Sequence, residues 1–245
     1  MDASPPPPAA GPPSVVIRPP SIAAPLPFDA LFDPARPLEV DVGCGKGRFL
    51  LARAAARREV QFLGIDRMRA RIGKLDRRIV RAGLDNVKLL RLEALYSLQH
   101  LLPPHRVRTF HVYFSDPWPK RRHHKRRLFG PEFLDVLWSR LETGGTVQIA
   151  TDHLDYFAAI RRQLGADPRF REVPPLARGP AEWTDFEIIF RGQGLPIGEC
   201  AFEALPAAKG KTEERKNGKT EERKDGKTEG RKDGTLAAGG RPGGE

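Results

Sequence analysis

A lone carboxylate and a large aromatic side chain stand directly before a dense run of positive charge. In the stretch FHVYFSDPWPKRRHHKRRLF, residues 110–129, Asp116 and Trp118 alternate with two prolines, and six of the eight residues 120–127 are Lys or Arg. None of those eight residues is an acid, so the charge is not paired locally. Because proline restricts its own backbone and that of the residue before it, we expect Asp116 and Trp118 to be held in place. The pattern indicates a fixed carboxylate beside a site for a polyanion.

A glycine-rich turn forms a second candidate site. In EVDVGCGKGRF, Gly43, Gly45 and Gly47 follow an apolar run, and glycine lets a backbone turn tightly and approach a ligand closely. The spacing G-x-G-x-G differs from the G-x-G-x-x-G of dinucleotide-binding folds. Asp41, two residues before the first glycine, would repel a pyrophosphate but suits a cationic amino-acid group such as that of S-adenosylmethionine. We therefore predict an adenosyl-cofactor site and disfavour a nicotinamide-dependent oxidoreductase.

Further acids follow the next apolar runs. Asp66 ends FLGID, where it is placed to accept both ribose hydroxyls, and Glu93 ends RLEA, where it is placed to accept the adenine amino group. Asp116 follows the fourth run. In a doubly wound sheet, ligands bind outside the carboxyl ends of the strands where the strand order reverses, so we expect Asp116 to face the transferable methyl group.

Alternating short apolar runs and helical patterns indicate the elements that would position these residues. We predict strands over 38–42, 60–65, 87–92, 107–114 and 145–151. Helices are predicted over 47–58, 67–83 (strongly basic), 94–102, 130–141 and 152–165. The later pieces FREV, FEIIF and ECAF are strand-like, with no long helix between them. The order predicts an α/β fold of the class I (Rossmann-like) methyltransferase type, with a mostly parallel doubly wound sheet and an antiparallel edge hairpin.

Composition divides the 245-residue chain into three parts. Residues 1–37 hold twelve of the 24 prolines, and residues 207–245 contain the octapeptides KTEERKNG, KTEERKDG and KTEGRKDG. Both segments lack a burial pattern, so we predict that they are disordered and that residues 38–206 form the methyltransferase domain. Of the net charge of +11, only three units fall in residues 209–245, so the excess lies mostly on residues 1–208. This distribution favours a polyanionic partner.

Two cysteines form no disulfide framework and no metal-ligand spacing occurs, so we expect no metal. We read Cys44 as a small loop residue. No signal peptide and no apolar stretch of about 18 residues is visible, and we expect a cytoplasmic protein that does not enter a membrane. The oligomeric state stays open.

The segments VDVGCGKG, FSDPWPKRRHHKRRL, ATDHLDY and TDFEIIFRGQGLPI closely resemble the bacterial tRNA (guanine-N7-)-methyltransferase family. The match runs from about Leu38 to Phe202, and the D-P-W-x-K and T-x-F-E motifs are specific to that family rather than to the fold. The resemblance implies that Asp41, Asp66, Glu93 and Asp116 surround S-adenosylmethionine. It also implies that the tRNA or its target guanine, in the variable loop, is contacted by Lys120, Asp152, Thr184, Asp185, Phe186 and Glu187. Ser115 and Asp185 depart from the family pattern, which often has proline and a basic residue there.

The implied reaction suits these residue types. Guanine N7 carries an in-plane lone pair and no proton, so alignment rather than a general base is expected to supply most of the rate. Asp116 is expected to stabilise the positive charge that develops on the ring, while Glu187 or Asp152 is placed to accept the donors of the Watson–Crick edge. We predict phosphate contacts by the basic run, namely Arg121, Arg122, Lys125, Arg126 and Arg127. Trp118 is read equally well as a base-stacking surface and as a core lid.

Two alternatives stay open. The first is methylation of another RNA or base, although exocyclic-amine methyltransferases tend to carry N/D-P-P-Y where this chain has D-P-W. The second is a non-catalytic RNA-binding module on a methyltransferase fold. Decay of that kind would be expected to lose the glycines or the strand-end acids, and all are present.

Overall fold

Eight strands form a single sheet in the computed structural model, which describes residues 13–207. The strands are β1 Val16–Ile17, β2 Leu38–Val42, β3 Gln61–Ile65, β4 Val87–Leu90, β5 Val107–Tyr113, β6 Leu141–Thr151, β7 Phe170–Val173 and β8 Gly198–Ala204. The helices are α1 Phe28–Leu31, α2 Arg48–Ala56, α3 Arg69–Arg81, α4 Ala94–His100, α5 Pro131–Arg140, α6 Leu154–Ala166 and α7 Asp185–Gly192. Most of the predicted strands and helices are confirmed within a few residues.

The strand order is β1-β4-β3-β2-β5-β6-β8-β7. All pairings from β1 to β6 are parallel, whereas β8 is antiparallel to both β6 and β7. The order reverses between β2 and β5, which makes this the switch point of the sheet. The predicted mostly parallel fold with an antiparallel edge is confirmed, although α7, rather than a short turn, lies in the connection between β7 and β8.

Helices cover both faces of the sheet because the central strands bury side chains on both sides. Phe62 of β3 packs in a cluster with residues of α2 and α3, including Leu75. Its neighbours Leu63 and Ile65 pack in the larger cluster with residues of α4, α5 and α6, including Leu137. The carboxyl ends of β2 to β5 therefore meet at one edge of a sheet whose two faces are covered, and this edge is where a ligand is expected to bind.

The segment FEIIF forms α7 and not the predicted strand. Its β-branched and aromatic residues favoured a strand, but the preceding Thr184 begins a helix. The Thr184 hydroxyl accepts a hydrogen bond from the Glu187 backbone N–H at 3.1 Å. This Thr-x-x-Glu spacing is that of a helix capping box, so a signal for the helix was present in the sequence.

The prediction of disorder is wrong for residues 13–37. Strand β1 pairs in parallel with β4, and the apolar side chains of Leu26, Phe28 and Phe32 are buried in the larger core cluster. Burying each such side chain stabilises by about 1.5–3 kcal/mol, and the prolines reduce the entropy lost on ordering because their φ is already fixed in the unfolded chain. Residues 1–12 and 208–245, including the octapeptides, lie outside the described residues.

Candidate active site

A cleft of about 870 Å³ opens at the carboxyl ends of β2 to β5. This volume falls within the range of about 300–1,000 Å³ that is usual for small-molecule sites. The cleft brings together every predicted cofactor residue, namely Asp41, Gly43, Gly45, Gly47, Asp66, Glu93 and Asp116. On the opposite side it is lined by Trp118, Arg126 and three residues around the start of α7: Thr184, Asp185 and Phe186.

The three glycines of the turn all have left-handed backbones, with φ of 80° at Gly43, 57° at Gly45 and 71° at Gly47. Side chains other than glycine rarely adopt this conformation. A Cβ at Gly47 would lie 2.3 Å from Cδ1 of Leu75, so the turn packs directly on α3. A Cβ at Gly43 would meet no atom within 4 Å, so this part of the loop leaves its backbone accessible to a ligand.

The Asp66 carboxylate is hydrogen-bonded to the glycine turn. Its Oδ2 accepts a hydrogen bond from the Gly45 N–H at 3.0 Å, and its Oδ1 accepts one from the Met68 N–H at 2.7 Å. The guanidinium of Arg71 lies 3.6 Å from Oδ2. A carboxylate offers about four acceptor positions, so these bonds leave capacity for the predicted ribose hydroxyls.

Asp41 is a buried carboxyl group with no protein counter-charge. Within residues 13–207 its side chain makes no hydrogen bond or ion pair, and it is 6% exposed. Burial, together with the nearby charge of Asp66, raises the pKa of Asp41 to about 7. A carboxyl group left in this state on the floor of a cleft fits a ligand that carries positive charge. This is the property that the amino-acid part and the sulfonium of S-adenosylmethionine would supply.

Glu93 lies on the cleft wall and caps α4. Its Oε1 accepts from the Leu95 N–H at 3.1 Å and its Oε2 accepts from the Tyr96 N–H at 2.7 Å. The carboxylate is therefore fixed by the helix that it begins. Contact with the adenine amino group stays a prediction, and it would use the remaining lone pairs of a carboxylate already held in position.

The loop after β5 carries two residues in the left-handed region that are not glycine, Phe114 with φ of 54° and Trp118 with φ of 41°. Such residues cost on the order of 1–3 kcal/mol each and concentrate at functional sites. The Arg127 Nε–H donates to the Pro117 carbonyl at 2.8 Å, and the Arg126 guanidinium lies 5.0 Å from the centre of the Trp118 ring. The basic run and the D-P-W turn therefore form one structural unit.

The basic run itself forms a 3-10 helix over Arg121–Arg126. Its cations Lys120, Arg121, Arg122, Lys125 and Arg126 are exposed, and within the described part of the chain none of them forms an ion pair. Arg127 differs, because its guanidinium lies 4.7 Å from the centre of the Tyr156 ring and also holds Pro117. The structure thus gives Arg127 a part in shaping the loop in addition to the predicted phosphate contact.

The predicted substrate residues fall into two groups. Asp185 and Phe186 line the cleft, and Phe186 is 51% exposed. Glu187 is fully buried and faces away, because its carboxylate binds the guanidinium of Arg178 at 2.7 Å and that of Arg191 at 3.0 Å. The structure therefore corrects the direct role predicted for Glu187.

Two other predicted substrate residues also do not line the cleft. Asp152 is half-buried beyond the end of β6, and Lys120 is exposed at the start of the basic run.

A buried polar network beneath the cleft was not anticipated from the sequence. His111 of β5 lies 2.8 Å from Glu39 of β2 through Nε2 and 3.0 Å from the Tyr113 hydroxyl through Nδ1. Because the Glu39 carboxylate can only accept, Nε2 donates and Nδ1 accepts the hydroxyl proton of Tyr113. Burial lowers the pKa of His111, so the ring is neutral. Tyr113 reaches the cleft wall from this network.

Arg178 joins this network to α7. Its guanidinium lies 4.2 Å from the centre of the Tyr113 ring while binding Glu187 and, at 2.5 Å, Glu199. The only trace of this arrangement in the sequence is the presence of Glu39 and His111 within predicted strands. Its effect is to connect the floor of the cleft to the helix that forms one of its walls.

Within residues 13–207, no helix is both long and apolar enough to cross a bilayer. The same part of the chain contains no group of three or more His, Cys, Asp or Glu side chains arranged to hold a metal ion.

Comparison with known proteins agrees with this geometry. Residues 35–190 match the family model described as "Putative methyltransferase". The tRNA (guanine-N(7)-)-methyltransferase of Halorhodospira halophila is 36% identical over 190 residues, which cover 75% of this chain and 81% of that protein. The enzyme of the same name from Bordetella pertussis is 36% identical over 186 residues, covering 74% and 72%.

Among solved structures, the 16S rRNA methyltransferase KamB matches with a TM-score of 0.53 and 16% identity, covering 73% of this chain and 93% of that one. At this identity the match shows the fold alone, which is that of class I methyltransferases. The family relationship comes instead from the sequence matches, which extend over most of the curated enzymes. With its glycine turn, its strand-end acids and its D-P-W loop gathered in one cleft, the chain belongs to the tRNA (guanine-N(7)-)-methyltransferase family.

Proposed function

We propose that the protein transfers a methyl group from S-adenosylmethionine to N7 of a guanine in the variable loop of tRNA, forming 7-methylguanosine. One observation carries the proposal. A single cleft joins a glycine turn with an unpaired buried carboxyl group to the D-P-W turn, whose basic run leaves five exposed cations without ion pairs in the described part of the chain. Because tRNA is the substrate, we place the protein in the cytoplasm.

The cofactor half of the cleft supplies complementary charge and hydrogen bonds. S-adenosylmethionine, when bound, supplies an electrophilic methyl group on a positively charged sulfur. Asp41 holds the amino-acid end of the cofactor, Asp66 accepts the ribose hydroxyls and Glu93 faces the adenine. The backbone of Gly43 and Gly45 is left accessible for close approach.

The guanine half of the cleft aligns and stabilises rather than removing a proton. N7 already carries a lone pair, so holding it in line accounts for most of the acceleration. Asp116 lies next to the point where the strand order reverses, and its carboxylate stabilises the positive charge that the imidazole ring gains. Trp118 and Phe186 provide aromatic faces for the base, since both line the cleft.

The lining of the cleft supports a different acid for the guanine edge. Of the four acids considered for the substrate side, Glu187 is buried and Asp152 lies off the wall, whereas Asp116 and Asp185 line the cleft. Because Asp116 is assigned to the developing charge, we propose that the Asp185 carboxylate accepts hydrogen bonds from the two donors on the Watson–Crick edge of guanine. Adenine presents a ring acceptor at the position of one of these donors, so the same carboxylate rejects it.

Incubation with methyl-labelled S-adenosylmethionine and a tRNA transcript, followed by nucleoside analysis, tests the proposal. We expect the label in 7-methylguanosine. We expect no label when the variable-loop guanine is replaced by adenine, which serves as the matched substrate control. Asp185→Asn should raise the relative rate with competing RNA bases while leaving S-adenosylmethionine affinity unchanged. Label in any other nucleoside, or an equal rate with the adenine substrate, would contradict the proposed function.

A further inference from the structure

Helix α3 carries a second basic surface on the other side of the cleft from the D-P-W turn. We define the α3 basic face as Lys74, Arg77 and Arg81. Helical spacing places these three exposed cations opposite the buried stripe that packs on the sheet, which consists of Ile72, Leu75 and Ile79. Within the described residues none of the three forms an ion pair, so their charge is available to a partner.

The helix holds these charges against their mutual repulsion. Lys74 and Arg81 each lie one helical turn from both Arg77 and Arg78. Like charges at these spacings destabilise a helix. Asp76, the one acid in α3, does not relieve this repulsion. Its carboxylate instead accepts from the Ser14 hydroxyl at 3.0 Å and the Val15 N–H at 2.8 Å. An external polyanion would relieve it.

The position of α3 relates this surface to the cleft. Met68 and Arg71, around the first turn of α3, line the cleft, and Arg78 donates to the Lys46 carbonyl of the glycine turn at 2.6 Å. A helix of 13 residues extends about 20 Å at 1.5 Å per residue. The α3 basic face therefore runs away from the cleft, while the basic run borders the cleft through Arg126 on its other side.

The surface fits RNA better than a membrane. A helix that lies in a bilayer interface presents large apolar side chains next to its cations. Ile72, Leu75 and Ile79 of α3 are buried, and the exposed positions within the helix carry Arg, Lys and Ala. Val80 is partly buried, and the exposed Met68 lies at the cleft end of the helix rather than beside the α3 basic face. A cationic face without apolar anchors binds through phosphate contacts and counterion release.

We propose that the α3 basic face binds backbone phosphates of the tRNA at a distance from the target guanine, so that the tRNA is held on both sides of the cleft. This inference rests on the proposed function and adds a contact surface to it. The duplex arms of tRNA continue beyond the target loop and present phosphates at this distance. Their binding adds affinity and orientation without contributing to methyl transfer itself.

The triple variant Lys74→Gln, Arg77→Gln, Arg81→Gln tests the surface. Glutamine keeps the helix propensity and removes the like-charge repulsion, so the melting temperature should stay the same or rise. A charge control, with Arg108, Arg162 and Arg171 replaced by glutamine, removes the same charge from exposed positions elsewhere. Because Arg108 and Arg171 pair with Glu142 and Glu203, the melting temperature of this control is measured as well. Binding of tRNA to each protein is measured over a series of salt concentrations, and methyl transfer is measured at saturating tRNA.

We expect the triple variant to bind tRNA more weakly and its salt dependence to flatten by about 0.7–0.9 of a log unit for each phosphate that it no longer binds. Its transfer rate at saturating tRNA and its S-adenosylmethionine affinity should match those of the wild type. Hydroxyl-radical footprinting should show that the nucleotides no longer protected lie outside the variable loop.

An unchanged salt dependence of tRNA binding, or an equal effect in the control, would overturn the inference. Binding to anionic phosphatidylserine vesicles is measured in parallel, and a variant that loses vesicle binding but keeps tRNA binding would also overturn it. Absence of 7-methylguanosine from the wild-type reaction would contradict the proposed function instead, and it is measured independently of the salt slope.

Discussion

Replacement of Asp41 by asparagine should stabilise the cofactor-free protein and weaken cofactor binding at the same time. The reason is the state of the carboxyl group. Burial and the charge of Asp66 raise the pKa of Asp41 from 3.8 to about 7 in the folded protein. Because this pKa is raised on folding, the contribution of Asp41 to stability is fully present below pH 3.8 and is lost as the pH rises through 7.

The size of the effect follows from the shift. A difference of about three pKa units corresponds to about 4 kcal/mol of folding free energy that is missing at pH 8, at 1.36 kcal/mol per unit. Asparagine removes the charge and keeps the shape, so up to this amount is recovered. The cofactor, in contrast, loses a charged partner, and a hydrogen bond to a charged group contributes about 1.5–3 kcal/mol.

Thermal unfolding and calorimetry at several pH values check both signs. At pH 8 the Asp41→Asn protein should melt at a higher temperature than the wild type without cofactor, and the difference should vanish near pH 4. Wild-type affinity for S-adenosylmethionine should fall up to about tenfold for each pH unit below 7, whereas the variant should show no such dependence. Asp116→Asn, at an exposed carboxylate of the same cleft, serves as the control for stability. A lower melting temperature for Asp41→Asn at pH 8 would refute the reasoning.

Three further changes separate the roles within the cleft. Asp66→Ala should weaken S-adenosylmethionine binding by about 1–3 kcal/mol, because it removes acceptors for the ribose and the bond to Gly45, and unchanged affinity in calorimetry would contradict the assignment. Asp116→Asn should lower the single-turnover rate by roughly 10²–10³ with little change in cofactor affinity, and a rate within a few-fold of the wild type would limit Asp116 to shaping the loop. Replacing Arg121, Arg122 and Arg126 with serine should raise the Michaelis constant for tRNA and flatten its salt dependence, and an unchanged slope would show that these cations are merely solvated.

The gathering of the predicted cofactor residues in one cleft could be predicted because its signals are local. Asp66 and Glu93 each follow a short apolar run directly, and parallel strands bring their carboxyl ends to one edge whatever the details of packing. The glycines of the turn are likewise required by the backbone, as their positive φ values show. Sequence therefore predicts which residues meet there without any knowledge of side-chain contacts.

The substrate half was less predictable because its geometry depends on distant partners. Glu187 was expected at the guanine edge, but the guanidinium of Arg178, nine residues earlier in a segment without regular structure, draws its carboxylate into the interior. No periodicity marks such a pair. The ordered segment before residue 38 was missed for a different reason. Its high proline content is typical of disorder, although a few of its apolar side chains, such as Phe28 and Phe32, pack in the core.

The buried position of Glu187 indicates that the residues of the T-x-F-E motif have different roles. Thr184 begins α7 by accepting the Glu187 backbone N–H, and the Glu187 carboxylate binds Arg178, whose guanidinium packs on Tyr113 in the cleft wall. A buried ion pair adds little net stability, because desolvation offsets the attraction, but it imposes one geometry on the elements that it joins. The two ends of the motif therefore fix the helix to the sheet, and the side chains of Asp185 and Phe186 line the cleft, where we propose that they face the target base.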